Sequence, residues 1–171
     1  MLLMSHPVSV KKAYAMLGML LGSLPPAAIF TRLFGYGVGA GLLNMTNRDG
    51  WLLFLCLAMN VGCCLGGYAM GSSLGSAAQK LERGSWSSML IVMPFVGAAW
   101  GTVTGVAGGF FLFGIGAFFG WAFGLPVGLI GFLAFSIIHR ILERGGMIEA
   151  RHLAPLACGI AAIITALVLG F

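Results

Sequence analysis

The one polar constellation in this sequence is "HRILERGGMIEARH", residues 139 to 152, with two histidines, three arginines and two glutamates. His139 and Glu143 are four residues apart and Arg140 and Glu143 three apart, so each pair can meet on one face of a helix. Gly145 suits a helix C-terminal cap, with Arg144 placed in the last turn. Two histidines and two glutamates could hold a metal ion, but Gly145 and Gly146 separate them and arginines surround them, so no metal site is expected. The chemistry that remains is a solvated, self-paired turn whose arginines lie near anionic headgroups. His139, Arg140, Glu143, Arg144, Glu149, Arg151 and His152 would be its contacts with a partner protein.

Other reactive side chains lie inside apolar runs. Cys63 and Cys64 in "NVGCCLGG", with Cys56 two helical turns earlier, could offer thiolates to a soft metal, and Met89 and Met93 add two thioethers one turn apart. Over these few residues alone the vicinal pair resembles mercury transporters and the Met-x-x-x-Met resembles eukaryotic copper transporters, and no family is assigned. Buried cysteine ordinarily acts as a small apolar residue, and with Cys158 the four cysteines form no loop framework for disulfides. Asn60 is the strongly polar amide inside an apolar run, suited to a hydrogen bond between helices. Parts for an enzyme are missing: Asp49 is the only aspartate, and neither a nucleophile elbow nor a phosphate-binding loop ending in lysine occurs. The chain is expected to be non-enzymatic, with no cofactor.

What carries these residues is dictated by composition. Sixty per cent of the 171 residues are apolar and 8% charged, and the mean hydropathy is +1.04, against about 25% charged in soluble domains. Lipid must be the main solvent. The net charge of +5 sits in short clusters between apolar runs rather than in a basic stripe, which argues against nucleic acid.

Crossing about 30 Å of hydrocarbon takes roughly 20 helical residues. Five spans fit, at 13–34, 51–78, 87–109, 116–138 and 153–170, in a single all-α transmembrane domain covering residues 1–171. No charged residue occurs between Gly84 and His139. One helix over those 56 residues would run about 84 Å, so two spans are required, with a turn near Gly108–Gly109 and "FFLFGI". Cytoplasmic loops retain Lys and Arg. Lys11, Lys12, Lys80, Arg83, Arg140, Arg144 and Arg151 fall on one side and Arg32 and Arg48 on the other, which puts the N-terminus in the cytoplasm and the C-terminus outside a bacterial-type inner or plasma membrane. Pro25 and Pro26 stand where a signal-peptide cleavage site needs small residues, so the first span is expected to be retained. The two prolines also free helix carbonyls that need donors from a neighbouring helix.

Small residues recur every fourth position. Glycine stands at 97, 101, 105 and 109 and again at 116, 120, 124 and 128, while Gly18 and Gly22, then Gly67, Gly71 and Gly75, mark two other spans. The fifth span offers Ala154, Cys158, Ala162, Ala166 and Gly170. With 28 glycines in 171 residues, chance yields roughly 0.1 run of four where two occur, even at a content above the usual 7% or so. Residues four apart share a helix face, and small faces let helix backbones approach closely in lipid. The expected function is therefore an accessory or structural membrane subunit, packed with lipid, with other membrane subunits or with itself. The alternative is a passive channel or small-solute transporter, soft-metal transport included, for which Asn60, Ser72, Ser73, Ser76, Thr102 and Thr104 are the candidate polar lining.

Overall fold

The computed structural model describes residues 7–38, 47–82, 84–110, 115–142 and 147–170. It holds five helices, all long and apolar enough to cross a membrane, as expected for an all-α integral membrane protein. They are α1 (Val10–Val38), α2 (Asn47–Glu82), α3 (Trp86–Gly109), α4 (Ile115–Leu142) and α5 (Ala150–Leu169). The shortest, α5, has 20 residues, enough for about 30 Å.

Local chemistry sets several ends. The Ser85 hydroxyl accepts the Ser88 amide at 3.1 Å and so caps α3. Gly170 closes α5 in the left-handed conformation, φ 82°, which glycine adopts without strain. Pro155 lies in the second turn of α5, past the first turn where proline is tolerated, so it leaves the Arg151 carbonyl without a helical donor. Pro25 and Pro26 lie well inside α1; they leave the carbonyls of Leu21 and Gly22 without a helical donor. Asn60 of α2 donates to the next carbonyl, Ser23 O, at 2.8 Å.

The helices form a ring in chain order: α1 packs on α2, α2 on α3, α3 on α4, α4 on α5, and α5 returns to α1. Two pairs approach at backbone distance. In α3 and α4, Gly97 faces Gly128, Gly101 faces Gly124, Gly105 faces Gly120 and Gly109 faces Gly116. A β-carbon on Gly101 would press into the Gly124 carbonyl oxygen and sit 2.6 Å from its carbonyl carbon. In α1 and α2, Gly18 faces Gly67, Gly22 faces Cys63, and Gly71 and Gly75 face Tyr14 and Lys11.

One feature departs from the sequence-based expectation. Residues Pro7–Ser9 (β1) and Met147–Glu149 (β2) form a small antiparallel sheet with Val8 opposite Ile148. Each strand runs straight into a helix, so α1 and α5 leave the sheet from the same end of the bundle. As the pairings expected on a helix extending out of the fourth span require, α4 continues past Ile138 to Leu142; no helix-breaking residue intervenes, and the buried stripe of Phe132 and Phe135 extends to His139.

Candidate functional site

At the end that carries the sheet, the interior is filled. Tyr14 of α1 packs against Phe132 and Phe135 of α4 with ring centroids 5.6 and 5.1 Å apart. Trp100 of α3 lies 5.4 Å from Phe132 and donates its indole N–H to Gly67 O of α2 at 3.1 Å. Met89, Met93, Ile148, Leu153, Ala157 and Ala161 complete this core.

The expected contact turn is largely reassigned by this packing. His139 is fully buried, with its ring 5.5 Å from Phe135 and 6.0 Å from Tyr14, so it is a core residue and cannot meet a partner. Its place four residues after Phe135 was the signal that could have revealed this. Arg140 does not face outward freely either: it donates to Gly84 O at 2.7 Å, reaches Met89 Sδ at 3.7 Å and lies 4.4 Å from the Trp86 ring centroid, latching α4 to the start of α3. Glu143 and Arg144 lie outside the described residues, and their expected pairings with them. Glu149 forms an ion pair with Arg151 and has His152 Nδ1 at 3.9 Å; both basic residues are exposed.

On α5 the small-residue face points away from the bundle, so within this chain it does not pack as the glycine faces do. Ala154, Cys158 and Ala162 are exposed, and a β-carbon on Gly159 would meet nothing within 4 Å. The buried face is Leu153, Ala157, Ile160, Ala161 and Ile164. Larger side chains are needed there because α5 fills the gap between α1 and α4: Ile164 and Leu21 converge on Gly131.

Beyond that level the interior opens. A cavity of about 720 Å3 extends among Leu21, Gly22, Pro25, Pro26, Ile29 and Phe30 of α1, Met59 and Cys63 of α2, and the glycine faces of α3 and α4, with Val168 as the α5 contribution. Trp100 and Val127 lie on its wall next to the packed core. Phe119 and Phe123 line it while remaining 56% and 49% exposed, so they form its rim. Of the expected polar lining only Thr104 reaches it; Asn60, Ser72, Ser73, Ser76 and Thr102 do not. Cys63 lines it and abuts Gly108, but Met89 and Met93 are buried elsewhere, against the sheet end. Among the described residues no three His, Cys, Asp or Glu side chains cluster as metal ligands.

The sequence offers no signal for the cavity, since a void belongs to several helices at once. No family model, no curated protein and no solved structure matches this chain.

Proposed function

We propose that this protein is a non-enzymatic accessory or structural subunit of a membrane assembly, docked through the outer face of α5. The observation that carries the reading is the alignment of Arg151, Ala154, Cys158 and Ala162, all exposed and spaced three and four residues apart, hence on one face. The glycine faces of α1 to α4 meet one another within the chain, so α5 holds the smooth face left for a second helix. Close backbone approach is how helices associate in lipid, and Glu149, Arg151 and His152 add a charged contact at its sheet end.

Lys11, Lys12, Lys80, Arg140 and Arg151 belong to the sheet end of the helices, which by the positive-inside tendency is the cytoplasmic end. Reporter fusions at residues 12, 82 and 171 should read inside, inside and outside; a cytoplasmic C-terminus would overturn this orientation. The docking face is tested by Ala162→Leu with Cys158→Leu. Co-purification of partner subunits, or of a tagged second copy, should fall at least fivefold, while Phe118→Ala on the exposed face of α4 leaves it unchanged. Unchanged recovery from the α5 variant would reject the reading.

A passive channel or small-solute transporter is the second reading, and it draws on the cavity. It is less favoured because, among the described residues, the lining bears one side-chain hydroxyl, and the layer of Tyr14, Trp100, Phe132 and Phe135 lies across the way to the other end.

A further inference from the structure

The cavity lies within stretches of helix apolar enough to sit in hydrocarbon, so lipid is the medium that reaches it. Its volume of about 720 Å3 falls in the range of about 300–1,000 Å3 typical of small-molecule sites. Apolar cavities of even about 150 Å3 exclude water and take up apolar guests. The walls favour hydrocarbon, but one wall residue asks for more.

Ser23, Ser136, Thr31, Ser73 and Thr165 each donate their hydroxyl to a carbonyl three or four residues back, the usual resolution for such groups in a helix. Thr104 does not. It lines the cavity, is 5% exposed, and its Oγ1 has no hydrogen-bond partner among the described residues. A buried polar group is normally satisfied, and in an apolar setting a donor gains most from an acceptor that brings little desolvation cost of its own. A hydrocarbon tail alone would fill the space and leave the hydroxyl unmet; water would meet the hydroxyl and leave the apolar space empty. A charged headgroup would find no counter-charge among the described residues of the lining.

We propose that the cavity binds a neutral, apolar membrane lipid through a carbonyl oxygen that accepts a hydrogen bond from Thr104. An ester-linked acyl chain and an isoprenoid quinone both carry that chemistry. The rim formed by Phe119 and Phe123 gives the lipid body its way in from the bilayer, and the assignment stands whether or not α5 docks a partner.

Trp100 provides the readout, because it lines the cavity yet is only 2% exposed and is therefore shielded from bulk quencher. Full-length protein carrying Trp51→Phe, Trp86→Phe and Trp121→Phe is titrated in detergent with a dibrominated fatty-acid methyl ester, a polyprenyl benzoquinone, and a dibrominated alkane of the same length. Saturable quenching is expected with the ester, the quinone or both, and which one saturates identifies the source. Thr104→Val, nearly the same shape, should weaken that binding about fivefold, as loss of one net hydrogen bond implies, and leave the alkane unaffected. Val127→Phe, which fills the cavity beside the packed core, should abolish quenching with the thermal transition retained. The proposal is overturned if neither carbonyl compound quenches saturably, or if Thr104→Val binds them as the parent does.

Discussion

The two ends of this bundle are built from the same helices by opposite means. At the sheet end, Tyr14, Phe132, Phe135, His139 and Met89 are fully buried and fill the ring. At the other end the corresponding positions on α3 and α4 are glycine, the pair closes to backbone contact, and the space left toward α1 is hollow. Bulk gives way to glycine along each of these helices, from Leu21 to Gly22 on α1, from Trp100 to Gly101 on α3 and from Phe132 to Gly128 on α4. Glycine therefore has two consequences here. Toward the partner helix it permits contact; toward the ring axis it supplies nothing to fill the interior.

The largest effect should come from putting bulk into the glycine end. Gly101→Leu or Gly120→Leu drives a side chain into the facing carbonyl, beyond what rotamer adjustment absorbs, and should cost more than the roughly 3 kcal/mol that marks the upper range of ordinary overpacking. Folded protein recovered by size exclusion in detergent should nearly vanish, while Leu129→Ala and Leu133→Ala, at half-buried positions, remain recoverable. Equal losses in both sets would mean that the close approach of α3 and α4 does not hold the bundle.

Removing bulk from the packed end comes next. Phe135→Ala deletes the ring that Tyr14 and His139 both contact and should cost about 3–5 kcal/mol, as for large aromatic truncations in a core. Thermal aggregation should occur at clearly lower temperature. Phe123→Ala on the cavity rim, half-exposed, should shift it far less, and a shift of the same size would erase the distinction between a filled end and an open one.

This contrast explains what could be read in advance. The spans were legible because hydropathy over about 20 residues is a strong signal, and the paired prolines and Asn60 stood out against it. The sheet was not, since strands of three residues such as "MIE" fall below any periodicity. His139 was misplaced because a run of charged neighbours suggested solvent, while its register with Phe132 and Phe135 set its burial. The outward turn of Ala154, Cys158 and Ala162 was hidden too: small residues mark a face fit for close packing, and only the neighbours decide whether this chain uses it.

The smallest expected effect on stability is the most informative for the proposed docking. Arg151 is 64% exposed and its partner carboxylate on Glu149 44% exposed, so solvent screens the pair and its loss should change stability by no more than about 0.5 kcal/mol. Arg151→Glu therefore leaves the bundle, its sheet and its packed end as they are, with a thermal transition close to that of the parent. If the α5 face meets a partner carrying complementary acidic groups, the same substitution sets two acidic residues, 149 and 151, against them, and partner recovery should drop several-fold, most strongly at low ionic strength where screening is weakest. Measuring co-purification at two salt concentrations separates this from a fold defect, which would not depend on salt in that way. An Arg151→Glu protein that keeps both its thermal transition and its full complement of partners would confine the contact to the small residues of α5 and remove the charged end from it.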